Sequence, residues 1–302
     1  MSQEPQDDGE YAIERREVRR AFGRAAAGYD AAAELQQRVR GELLERLDLV
    51  RIDPSAVLDL GAGTGHAALA LKRRYPKAQV VALDLAESML REAGRRQTLI
   101  RRFRRVCADA ACLPFRPASF DIVFSNLMLQ WCDDPDRVFA ECRRVLRPGG
   151  LLSFASFGPD TLVELRRAWA AVGDHVHVSR FIDMHDLGDA LVRAGLAEPV
   201  MDVERQVLTY AGVRELMLDL KAIGAHNASA GRSRGLTGKG ALARMIAAYE
   251  TFRRDGRLPA TYEVVFGHAW APVTEPRPRP PPSGEARVPL SQIGRRLERG
   301  DG

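Results

Sequence analysis

The stretch Val57-Leu58-Asp59-Leu60-Gly61-Ala62-Gly63-Thr64-Gly65 limits what this chain can fold into more than any other. A short apolar run ends in three alternating glycines, and a helical pattern follows to Arg74. Without a Cβ, glycine turns through backbone shapes closed to other residues and lets a ligand come close. The helix beyond presents free N–H groups at its start. The same arrangement then repeats. Strands are predicted over 79–84, 103–108, 119–125 and 151–156, with helices over 86–96 and 134–146, the latter stopped by Arg147-Pro148-Gly149-Gly150. Short apolar strands alternating with amphipathic helices make βαβ units, whose crossovers force a parallel sheet buried on both faces.

Residues 14–49 carry apolar positions at helical spacing (Val18, Phe22, Leu35, Val39, Leu43, Leu47), interrupted by Gly28-Tyr29-Asp30. This predicts two helices, with Asp30 capping the second. Past the fifth strand, helices are expected over 160–171 and 183–194, a strand over 200–208, helices over 213–223 and 239–254, and a last strand over 261–268. Residues 210–258 would then be a helical insertion placed to roof a pocket. Residues 1–12 are acidic and polar, and 273–302 are rich in Pro and Arg but poor in large apolar groups. Both are expected to be disordered tails around one domain spanning 13–272.

The glycine spacing is G-x-G-x-G, whereas a dinucleotide site wants G-x-G-x-x-G. Asp59, two residues before the first glycine, suits a ligand with a cationic end such as an ammonium. Asp84 closes the second strand, where an acid accepts hydrogen bonds from ribose hydroxyls. Asp109 follows the third, where a carboxylate can accept from an exocyclic adenine amine.

Composition narrows the field further. No run of about 18 apolar residues exists, which excludes a membrane-spanning helix, and the start of the chain is unlike a secretory signal. The four cysteines, Cys107, Cys112, Cys132 and Cys142, form no C-x-x-C pair and no zinc spacing. A metal-free protein of the reducing cytoplasm is expected. Forty-five Lys+Arg against forty Asp+Glu leave a net charge of +5, with arginines clustered at 15–20 and 101–105. Such clusters suit an acidic partner. No basic run is interleaved with aromatics, so neither nucleic acid nor membrane is the expected partner.

The glycine corner, the three acids and the Arg-Pro-Gly-Gly stop together resemble the class I S-adenosylmethionine-dependent methyltransferases over 55–157. That resemblance implies a Rossmann-like α/β fold with a mostly parallel seven-stranded sheet, helices on both faces and a helical insertion. It implies that Asp59, Gly61, Ala62, Gly63 and Gly65 line the methionine part of S-adenosyl-L-methionine, that Asp84 holds the ribose, and that Leu85 and Met89 flank the adenosine. Asp109 and Ala110 would meet the adenine, Asn126 and Leu127 would border the sulfonium, and Tyr29 and Gln36 would close over the amino-acid end. Three further stretches (22–30, 156–162 and 181–189), with 221–227 and 235–238, resemble the malonyl-[acyl-carrier protein] O-methyltransferases of biotin synthesis over about 18–271. The implied acceptor is the free carboxylate of a malonyl thioester on acyl-carrier protein or coenzyme A, with Tyr29, His185, Arg205 or Arg214 as its candidate donors. Quinone-precursor C-methyltransferases are more weakly similar. A nonenzymatic assembly factor on the same scaffold is the alternative from another class.

Overall fold

The computed structural model describes residues 13–173, 181–225 and 238–273. Residues 1–12, nearly all of the Pro/Arg-rich tail, and residues 226–227 and 235–237 of the stretches singled out in the insertion lie outside these.

Among the described residues, seven strands form one sheet: β1 (Ala56–Leu60), β2 (Gln79–Asp84), β3 (Arg104–Cys107), β4 (Phe120–Asn126), β5 (Leu146–Phe157), β6 (Ala197–Tyr210) and β7 (Leu258–Trp270), in the spatial order β3-β2-β1-β4-β5-β7-β6. The first five are parallel, and β7 runs antiparallel between β5 and β6. The chain steps outward from β1 in one direction through β3, then returns to build the other half from β4. That reversal opens a crevice beyond the carboxyl ends of β1 and β4, where ligands of open α/β sheets bind.

The helices are α1 (Arg15–Ala25), α2 (Tyr29–Ala32), α3 (Glu34–Arg46), α4 (His66–Arg74), α5 (Glu87–Arg96), α6 (Pro135–Val145), α7 (Val163–Ala170), α8 (Met184–Arg193), α9 (Val213–Ala222) and α10 (Lys239–Glu250). One face of the sheet packs against α3, α4, α5, α7, α9 and α10 through residues such as Val39, Phe124, Trp169 and Tyr249. The other packs against α6 and α8 through Phe139, Phe154 and Leu191. Each of β1, β2 and β4 is mostly apolar, with its central residues buried, because both of its faces are covered. Helix α6 starts where Asp134 accepts from the Arg137 N–H at 2.9 Å, ahead of Pro135.

Three expectations need correction. Residues 14–49 hold three α-helices, and Asp30 lies inside the short α2 without capping it; its carboxylate is drawn to Thr64 and Arg96. Strand β5 begins at Leu146, before the Arg-Pro-Gly-Gly stop, because Leu146 pairs with Phe120 and the backbone of Gly149 and Gly150 bonds to Ala271 across the sheet. Helix α7 begins only at Val163, since Leu162 sits in left-handed backbone at φ 55°.

Candidate active site

The glycine corner hangs on β2: the N–H groups of Gly61 and Ala62 both donate to the Leu83 carbonyl, at 2.8 and 2.9 Å. All three glycines have positive φ, but they answer to different neighbours. A Cβ on Gly61 would lie 2.3 Å from Met128 Cγ, and one on Gly65 would lie 2.7 Å from Ala93 Cβ and 3.1 Å from its Cα. Only Gly63 faces open space, with nothing within 4 Å. Gly65, expected to line the ligand, is not among the residues lining either cavity of this site: it ends the turn before α4 and lets that helix pack against α5.

Asp84 organises the next part. One carboxylate oxygen accepts from the Gly63 N–H and the other from the Ala86 N–H, each at 2.8 Å, and burial raises its pKa. Asp84, Leu85, Met89, Asp109 and Ala110 line a cavity of about 110 Å³, roofed by Phe22 and Tyr29 from the N-terminal helices. Asn126 and Leu127 border the same cavity at the end of β4. Phe22 stands edge-on to Trp131 at 5.2 Å, which fixes the roof. Asp109 accepts from the Ala111 N–H at 2.9 Å and from Arg15 Nη1 at 2.8 Å. Arg15 lines the same cavity.

A smaller cavity of about 50 Å³ adjoins on the far side of Tyr29, lined by Gln36, Arg40, Asp59, Gly63, His66 and Asn126 among others. Asp59 is 1% exposed. Its Oδ2 has no hydrogen-bond partner among the described residues, and the same holds for Gln36 Oε1 and Asn126 Oδ1. An unsatisfied buried polar atom costs about 1–3 kcal/mol, so three at one cavity mark a place built for a polar guest. Burial, with Asp84 adding to it, pushes the Asp59 carboxyl up to about 7. Burial also lowers the pKa of Arg40. A carboxylate acceptor and a guanidinium across one small cavity fit the ammonium and carboxylate of an amino acid. With Asp84 beyond Gly63, the whole set fits S-adenosylmethionine.

Sequence reasoning missed the residues that close this site. Thr64 Oγ1 donates to Asp30 at 2.6 Å, Arg96 donates to the other Asp30 oxygen and, through Nε, to the Thr64 carbonyl at 3.0 Å. His66 Nε2 lies 3.2 Å from Asp30. Burial opposes ionisation of Asp30, but Thr64, His66 and Arg96 outweigh it and hold the carboxyl below its usual range. Burial and the nearby arginines lower the pKa of His66. Asp30, read as a helix cap, signalled a polar partner but not which one. Arg40 gave no signal beyond helical spacing.

The predicted acceptor-side residues are not brought together. Tyr29 lines both cavities, and burial raises its pKa. His185 is exposed at the start of α8, its Nδ1 2.7 Å from Asp183. Arg205 pairs with Asp160 near the end of β5, and Arg214 is exposed on α9. None of these three lines either cavity, because each already has a local partner or faces outward. Among the described residues no cluster of His, Cys, Asp and Glu could hold a metal ion, and no helix is long and apolar enough to cross a membrane.

Comparisons with known proteins agree with this architecture. A family model described as a methyltransferase domain matches residues 58–154. The chain is similar in fold to the YcgJ protein of Bacillus subtilis (TM-score 0.57, 17% identity, 78% of this chain and 99% of that one). It is likewise similar to a putative methyltransferase of Bacillus halodurans (TM-score 0.56, 20% identity, 77% and 98%). Sequence similarity is far higher to proteins named malonyl-[acyl-carrier protein] O-methyltransferase. That of Methylovorus sp. is 58% identical over 87% of this chain and 90% of its own length. That of Halorhodospira halophila is 53% identical over 94% and 97%. Identity of this order across both the cofactor half and the C-terminal half leaves one conclusion: the chain belongs to the malonyl-[acyl-carrier protein] O-methyltransferase family of S-adenosylmethionine-dependent enzymes.

Proposed function

We propose that this enzyme moves the methyl group of S-adenosylmethionine to the free carboxylate of a malonyl thioester carried on acyl-carrier protein. The observation that carries this reading is the 58% identity over 87% of the chain, which takes in the insertion between β6 and β7 as well as the cofactor crevice. S-Adenosylmethionine supplies an electrophilic methyl on a sulfonium. One carboxylate oxygen gains the O–CH3 bond, the S–CH3 bond breaks, and its electron pair stays on sulfur, leaving the neutral thioether of S-adenosylhomocysteine.

No proton moves in that step. A malonyl carboxylate is already ionised at neutral pH, so a general base has nothing to remove. What the chain must supply is alignment and exclusion of water. Asp59 and Arg40 hold the amino-acid end, Asp84 holds the ribose, and Tyr29 with Phe22 keeps solvent off the reacting centre. Orientation of this kind can lower a barrier by up to about 7–11 kcal/mol. Methylation removes the malonyl charge, which lets chain-elongating enzymes treat the ester as an ordinary acyl end on the way to biotin.

The test is transfer of label from S-adenosylmethionine to malonyl-carrier protein. Base-labile label on the carrier supports the reading. Label that survives base, or reaches only a quinone precursor, refutes it.

A further inference from the structure

A third cavity, of about 690 Å³, lies between the start of α3, the end of β6 and α9. It touches the cofactor crevice at one residue: Gln36 lines both this cavity and the small one holding Asp59 and Asn126. Gln36 is also tied to the end of β4, its carbonyl accepting from Asn126 Nδ2 at 3.2 Å. The wall is part apolar, with Leu35, Leu218 and Ile223, and part polar, with Tyr210 and Asp219. Tyr210 Oη donates to Asp219 Oδ2 at 2.7 Å, so that carboxylate is anchored and keeps further acceptor positions.

We propose that this cavity takes the pantetheine arm of the acyl thioester, with Gln36 as the junction where the acyl carboxylate meets the methyl donor. The proposal rests on the function assigned above and names where the arm of its substrate lies. A pantetheine arm is a flexible uncharged chain broken by two amides. It needs apolar wall with a few fixed hydrogen-bonding groups, and a cavity of this size falls within the usual range for such ligands. Asp219 offers an acceptor for an amide N–H. Gln36 offers a neutral carboxamide to the malonyl carboxylate, which a guanidinium would hold more tightly and make less nucleophilic.

The test fills the cavity from α9 with Ala222→Trp and, separately, perturbs its polar wall with Asp219→Asn. Rates are measured on malonyl-carrier protein, malonyl-coenzyme A and armless malonyl methyl thioester, with S-adenosylhomocysteine affinity followed by calorimetry. Ala222→Trp should lower kcat/KM at least ten-fold more on an armed substrate than on the armless one, with homocysteine-product affinity within two-fold of wild type. Asp219→Asn should raise KM for the armed substrates several-fold and leave kcat. The armed substrate that loses more identifies whether carrier or coenzyme supplies the arm. Equal losses on all three thioesters, or no loss on any, overturn the proposal. A wild-type enzyme that methylates no malonyl thioester at all refutes the functional reading itself.

Discussion

Thr64 Oγ1 donates to Asp30 Oδ1 at 2.6 Å, and this bond joins the N-terminal helices to the glycine turn between β1 and α4. Asp30 precedes the motif by many residues, so the contact is a clasp between separate parts of the chain. Charge-assisted hydrogen bonds to Arg96 strengthen it. Asp30→Ala is expected to weaken S-adenosylhomocysteine binding about ten-fold, roughly 1.4 kcal/mol. It should also speed tryptic cleavage at the arginines of α1 in the presence of ligand. Cleavage as slow as in wild type would mean that the clasp does not hold the roof.

Asp59 is expected to make cofactor binding pH-dependent. Its carboxyl, pushed up to about 7 by burial, is largely protonated below that pH and ionised above it. Only the ionised form pairs with an ammonium, so affinity should rise as pH increases from 6 to 8, and binding near pH 7 should release a proton. Calorimetry in buffers of different ionisation enthalpy reads that proton directly. Asp59→Asn should bind more weakly at every pH and flatten the dependence.

Gly63→Ala and Gly65→Ala separate binding from folding. The first adds a methyl in open space at φ 52°, the second at φ 81° against Ala93. Left-handed backbone costs an alanine about 1–2 kcal/mol in each case, and overpacking adds about 1–3 kcal/mol in the second. Gly65→Ala should lower Tm clearly more than Gly63→Ala. The latter should lose cofactor affinity at least ten-fold while remaining folded. Equal Tm losses would contradict the division of roles.

Arg40 is assigned to the amino-acid end of the cofactor. Arg40→Met should weaken S-adenosylhomocysteine at least ten-fold but leave 5′-methylthioadenosine, which lacks that end, within two-fold. Weakening of both by the same factor would place Arg40 in a general structural role.

Carrier proteins are acidic, and this chain is positively charged overall. Activity on the carrier-bound substrate should therefore fall with added salt more steeply than activity on malonyl-coenzyme A. A flat response with the carrier would count against electrostatic docking.

The cofactor half was legible because its strands are short, apolar and punctuated by glycine, and because Asp59, Asp84 and Asp109 stand at successive strand ends. Those positions carry the resemblance to the S-adenosylmethionine-dependent methyltransferases, and that resemblance named the ligand. What was not legible depends on distance along the chain. Arg96 reaches Asp30 across 66 positions, and Tyr210 becomes a cavity wall only when α9 folds over it. Three of the four acceptor-side candidates lie away from both cavities for the same reason: Arg205 looked available in the sequence, but the fold gives it Asp160. Gly65 looked like Gly63 until the helix behind it was in place.

The position of β7 has a consequence for how the molecule is made. Strand β7 is inserted between β5 and β6, pairing Trp270 with both Leu151 and Ala197, so the sheet stays split until the segment through Trp270 has left the ribosome. Nascent chains in which β7 has not yet emerged should expose the flank of β5 and invite chaperone capture, whereas those in which it has emerged can complete the sheet.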